Sequence, residues 1–261
     1  MLYTVLSACK ATQTKAAKQE LMAEKQDETG NEQNRLIALL WGEPMPPKRG
    51  PRPKLSAIHI ATKAIALADA HGLEAVSMQR LAAEFDFTTM SLYRYIPSKN
   101  DLVDLMVDLA FGAPPEFDDG DWRDQLTTWA HRCLDRYRTH LWLLGAATAR
   151  RRIMGPNEIG WLESALDVLQ RARLAAEQRH DAFLLVNGHV RNMALEIVNQ
   201  SQPGVDEWRA AMGKLFDQQS GRFPAFHQTM SEGGMKSSFD NRIDIGLEFL
   251  LDGIAKQATE G

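Results

Sequence analysis

Cysteine is nearly absent from this chain. Its 261 residues include only Cys9 and Cys133, so neither a disulfide framework nor a metal site built on paired cysteines can be drawn. A reducing, cytoplasmic setting is expected. Long apolar runs are missing too, and none approaches the roughly 20 residues that a membrane span needs. The opening LYTVLSAC looks like a lipoprotein cleavage box ending at Cys9, but no Lys or Arg precedes it and its apolar stretch is too short for a signal peptide. No membrane partner is expected. The chain also lacks a nucleophile–base arrangement, a phosphate-cradling glycine loop and any metal-ligand spacing. Catalysis, cofactor and metal are therefore not expected. Finally, no alternating apolar–polar run is long enough for a strand, which leaves an all-α fold.

What is present is uneven charge. The whole chain carries −4, yet between Lys48 and Lys99 eight basic residues (Lys48, Arg49, Arg52, Lys54, Lys63, Arg80, Arg94, Lys99) face four acidic ones (Asp69, Glu74, Glu84, Asp86). A basic segment on an acidic body is the electrostatic footprint of a nucleic-acid reader.

The order of segments supports two helical domains. Residues 1–47 read as a flexible extension: 1–35 are polar, with Gly30 and Asn31 breaking any helix, and a short apolar knot follows at Leu36 to Trp41. Residues 48–54 form a proline-stiffened basic arm carrying Lys48, Arg49, Arg52 and Lys54. Helical periodicity begins at Leu55, with Ile60, Ala61, Ala64, Ile65, Leu67 and Ala68 on one face before Gly72. Ser77 is placed to cap the helix MQRLAAEF. A second short helix opens at Thr88 or Thr89 and must stop by Pro97. SKND, with Ser98 as cap, starts another that presents Leu102, Leu105, Met106 and Leu109. This domain spans 55–110. FGAPPEFDDGD leads into a second helical unit over 121–257, with a softer Gly/Gln/Ser-rich region at about 201–236.

Two helices around the tight turn FDF have the proportions of a helix-turn-helix, whose second helix enters the major groove with its leading residues at base edges. Thr88, Thr89, Met90 and Ser91 lead it. Leu92 and Ile96, spaced i, i+4, supply a buried side, which turns Tyr93, Arg94 and Tyr95 elsewhere. Hydroxyls and a guanidinium there suit phosphate oxygens, and Lys99 in the first turn of the next helix adds to the attraction.

SMQRLAAEFDFTTMSLYRYIPSKNDLV resembles the DNA-binding domain of the TetR/AcrR family, most specifically in LYRY followed by PSK. The later segments, from DWRDQL through GPNEIGWLESALDVL to GLEFLLDGI, are similar to the tetracycline-repressor-like C-terminal domain. The resemblance implies base reading by Gln79, Thr88, Thr89 and Met90, and phosphate contacts by Ser77, Ser91, Tyr93, Tyr95 and Lys99. It further implies a homodimeric, ligand-responsive repressor that leaves a palindromic double-stranded operator when a small effector binds. The chain departs from the family pattern at the turn, where Phe85-Asp86-Phe87 stands for Leu-Gly-Val.

Several readings stay open at this level. The arm serves either as a minor-groove contact or as a solvated linker. In the second domain Trp129, His131, Trp161, Asn187 and Arg191 are the effector-contact candidates. Trp129 and Trp161 suit the core better than a ligand contact, and the arginines at 150–152 suit a solvated loop better than a ligand clamp. The helix at 175–199, apolar on two sides, and the helix at 238–257 serve either a dimer bundle or the protomer's own core. A constitutive architectural DNA binder without effector is the alternative function.

Overall fold

The computed structural model describes residues 30–31, 33–42, 55–150, 152–219, 221–234 and 239–260. Among them there are helices and turns and no strand, as the periodicity requires. The basic arm at 48–54 and Cys9 lie outside the described residues.

Helix α1 covers residues 33–41, and Gly30 and Asn31 before it also carry helical backbone. The expectation that Gly30 and Asn31 break any helix is thereby corrected. Leu36 and Leu40 stand one turn apart and are both buried, and the Trp41 indole donates to Met154 O at 3.0 Å. Burial of one apolar face outweighs the weak helix propensity of Gly and Asn.

Four helices follow in the first unit: α2 (Ala57–His71), α3 (Met78–Glu84), α4 (Thr89–Tyr93) and α5 (Lys99–Phe111). Each of their starts is capped by a side chain. Ser56, Ser77, Thr88 and Ser98 accept from the N–H groups of His59, Arg80, Ser91 and Asp101. Helix α2 ends at Gly72, whose φ of 81° is the left-handed geometry that glycine adopts without penalty.

The second unit contains α6 (Trp122–Thr139), α7 (Leu143–Thr148), α8 (Pro156–Arg171), α9 (Ala176–Gln200), α10 (Val205–Gln218), α11 (Pro224–Ser231) and α12 (Phe239–Glu260). Its centre is the packing of α6, α8, α9 and α12. Trp129 joins three of these helices. Its ring meets Trp161 and Phe183, each at 5.9 Å between centroids, and its indole donates to Trp161 O at 2.9 Å. Helices α10 and α11 occupy the region read as soft. Phe216 and Phe226 hold the two together at 4.6 Å between rings, an apolar contact that the Gly, Gln and Ser content obscured.

Helix α5 joins the units, packing on α2 as well as on α6, α7 and α8. Two of its carboxylates, Asp104 and Asp108, are buried on the side facing the body. Gly155 is the N-cap of α8 and has no side chain to cap with. Asp108 supplies the missing acceptor: its Oδ1 receives Asn157 N at 2.9 Å and Glu158 N at 3.1 Å, and its Oδ2 receives Asn157 Nδ2 at 3.0 Å. A methyl group on Gly155 would land on the Asp108 carboxyl, so the bare glycine is what admits it. Next to this cap Arg152, only 4% exposed in its side chain, lies between Asp104 and Glu158, and Arg150 donates to Asp104 at 2.8 Å. The solvated-loop reading of this arginine run is thus corrected for Arg152, whereas Arg150 stays exposed with a tie to a buried carboxylate. Burial raises Asp108 and Glu158 above the usual carboxylate range, opposed by these hydrogen bonds and by Arg152.

Candidate nucleic-acid interface and effector domain

The geometry of the α3–α4 pair follows from how α3 stops. Phe87 N bonds Ala82 O at 2.9 Å and Asp86 N bonds Ala83 O at 3.3 Å, the paired bonds of a Schellman motif, with Asp86 at φ 55° in the position that glycine usually fills. The Phe-Asp-Phe departure from the family pattern therefore keeps the turn and places an L-residue in left-handed backbone. Phe85 anchors the turn by edge contact with His59 at 5.2 Å between rings.

Helix α4 is only five residues long, and its sides are sharply divided. Leu92 and Ile96 are fully buried. Met90 is 73% exposed, and Phe87, Tyr93 and Tyr95 also reach solvent. Thr88 and Ser91 share a hydroxyl–hydroxyl bond of 2.9 Å at the helix start, which fixes both rotamers. Gln79, Arg94 and Lys99 are exposed, whereas Ser77, Thr89 and Ser91 are half-buried. The Ser77 oxygen is engaged as a cap and its hydroxyl hydrogen is left to donate outward. Of the nearby charges, Lys63 is paired with Glu84 at 3.0 Å.

In the body the effector-contact candidates occupy different settings. Trp129 and Trp161 form one buried ring pair. The Trp161 indole donates to Phe111 O and Gly112 O at 3.3 and 3.1 Å, tying α8 to the end of α5. Trp161 also borders a hollow of about 320 Å³ beside Pro114, Arg132 and Arg136. His131 pairs with Asp244 at 2.7 Å across α6 and α12. Asn187 is half-buried on α9. Arg191 hydrogen-bonds the Tyr137 hydroxyl, whose pKa burial raises. His189, another lone histidine, contacts Ile243 O at 3.0 Å and lies against Gly246, where a Cβ would collide with its ring. Four residues that sequence reasoning did not single out complete the junction: Asp104, Asp108, Gly155 and Glu158. The signal for two of them was an i, i+4 pair of carboxylates on an otherwise apolar stripe. A cleft of about 800 Å³ is lined by both units and by none of the five candidates.

Comparisons with known proteins agree with this architecture. A family model described as bacterial regulatory proteins, tetR family, matches residues 60–106. A second, described as tetracyclin repressor-like, C-terminal domain, matches residues 114–258. The chain is 35% identical over 231 residues to the HTH-type transcriptional repressor DrrR1 of Streptomyces coeruleorubidus, covering 84% of each. Among solved structures it is similar to ActR from Streptomyces coelicolor in complex with actinorhodin. That likeness has a TM-score of 0.68 at 27% identity and covers 79% of this chain and 99% of that one. The ActR complex with (S)-DNPA gives 0.67 at 26%, covering 79% and 100%. With its reading head and its body each matched, the chain belongs to the tetR family of bacterial regulatory proteins and is a DNA-binding transcriptional regulator.

Proposed function

We propose that the protein is a homodimeric repressor that holds a palindromic operator through α3 and α4 and is released by a small organic effector. The observation that carries the DNA contact is the division of α4. Leu92 and Ile96 are spent on the core, and Met90, Tyr93 and Tyr95 are left facing solvent. In this reading Gln79, Thr88, Thr89 and Met90 read base edges, while Ser77, Ser91, Tyr93, Arg94, Tyr95 and Lys99 grip phosphates. The arm residues Lys48, Arg49, Arg52 and Lys54 add minor-groove charge.

Pairing of two copies is supported by apolar side chains left uncovered in the protomer. Leu184, Leu185 and Leu195 on α9 are exposed, as are Ile245 and, at 72%, Phe249 on α12. Leu185 and Phe249 border one apolar hollow with Leu174 and Ile254. An isologous contact across these faces sets two reading heads on half-sites about one DNA turn or a multiple of it apart. The bound molecules of ActR support a small organic effector here as well. An effector shifts the protein off DNA only by binding the released arrangement more tightly.

The test starts with an operator selected from random duplexes and measures affinity against salt. Lys99→Ala is expected to lower the log–log salt slope by about 0.9, the value of one phosphate contact, and Tyr93→Ala to weaken binding with less change in slope. A folded double variant that binds as tightly and with the same slope as the parent overturns the reading.

A further inference from the structure

The 800 Å³ cleft lies between the reading head and the body. Ala68, Asp69, Leu73, Lys99 and Val103 line it from one side; Arg138, Leu141, Trp142, Ala146 and Val198 line it from the other. Its volume is that of a site for an organic molecule of several rings. Much of its wall is apolar, with Trp142 and Ala146 buried and Leu73, Val103 and Val198 half-buried.

The charged groups set the chemistry of the occupant. Lys99, Arg138 and Arg150 reach the cleft, against Asp69 and Glu74, and Arg138 is paired with Asp135 at 3.2 Å. Asp69 is already engaged, since its Oδ1 contacts His140 Nδ1 at 2.8 Å and accepts from the Trp142 indole at 2.7 Å. Arg150 is held in place on the wall by Asn100 O and Asp104. Lys99 stands at the start of α5, where the backbone N–H groups carry partial positive charge. An apolar cavity with cations at its rim suits an aromatic body bearing a carboxylate, sulfonate or phenolate.

Lys99 is also the residue assigned above to an operator phosphate. We propose that the cleft binds an aromatic organic anion, and that the bound anion competes with operator phosphate for Lys99. The competition rests on the repressor reading; the cleft as a binding site does not. Because the site touches both units, its occupant also sets the angle between them, which adds to the release.

The probe is 8-anilinonaphthalene-1-sulfonate, an aromatic sulfonate that brightens in apolar surroundings. Gly145 faces the cleft from α7, is exposed, and has nothing within 4 Å of where a Cβ would be. Gly145→Trp therefore fills the cleft without disturbing the core, and Ala149→Trp repeats the test from the next turn. The parent is expected to saturate a dye site that both variants weaken by about tenfold or more, and that Arg138→Gln weakens several-fold through loss of one charge-assisted bond. Saturating dye is expected to weaken operator binding by the parent, with operator weakening dye binding by the same factor. Dye affinity unchanged in both tryptophan variants, or operator affinity unchanged by saturating dye, overturns the proposal. Failure of the repressor reading looks different: the dye-free parent then retains no operator at all.

Discussion

The cap that α5 places on α8 offers a sharp test of how the two units are joined. Gly155→Ala pushes a methyl group into the Asp108 carboxyl and must displace it from Asn157 N and Glu158 N. Two hydrogen bonds to a charged acceptor are at stake, each worth about 1.5 kcal/mol net, so the substitution should cost about 3 kcal/mol. Asp108→Ala loses the same bonds but is relieved of burying a carboxylate, which reduces its cost to about 2 kcal/mol. Once Asp108 is truncated the methyl group has no carboxyl left to displace, so the double variant should cost about 2 kcal/mol, as Asp108→Ala alone, and not the sum of about 5. Urea denaturation followed by circular dichroism, at fixed protein concentration because a dimer's stability depends on it, measures all three. Additivity within about 0.5 kcal/mol would show that the glycine and the carboxylate act independently and would refute the cap argument.

Other outcomes follow from single features. Asp86→Gly should stabilise the protein by about 0.5 kcal/mol, because relief of left-handed backbone exceeds the entropy glycine adds to the unfolded chain; a lower melting temperature contradicts the turn geometry. Phe249→Glu should leave monomers at micromolar concentration in light scattering, since an unpaired carboxylate cannot be buried between two apolar faces. In a Cys9→Ser background Cys133 should resist a disulfide reagent at pH 8 until the protein unfolds, because burial pushes its pKa up to about 12 from 9.0. That shift reduces its thiolate fraction about a thousandfold. The sign for stability follows: the thiol's contribution is full below pH 9.0 and lost as pH rises towards about 12.

Local chemistry made much of this fold legible. Ser77, Thr88 and Ser98 announce helix starts because a hydroxyl beside an uncapped N–H needs no distant partner, and all three accept the expected bonds. The buried side of α4 was equally plain, since Leu92 and Ile96 differ from their polar neighbours at helical spacing. Long-range partners were not legible. Arg152 looked like a solvated charge because its carboxylates, Asp104 and Glu158, come from two other helices. The burial of Trp129 and Trp161 was legible as core, but the carbonyl of another element to which each indole donates was not. Helix α1 was hidden for the same reason: Gly30 and Asn31 argue against it locally, and only tertiary burial of Leu36 and Leu40 argues for it.

The apolar interior runs without interruption from Leu36 in α1 to Ile254 in α12, with the rear of α5 in its middle. Transplanting this reading head onto a foreign body would therefore require a graft point beyond Phe111, carrying Asp104 and Asp108 along with matching arginine and glycine partners. A chimaera cut in front of α5 would leave those carboxylates behind with their own partners, and would strip the reading head of the helix on which α2 packs.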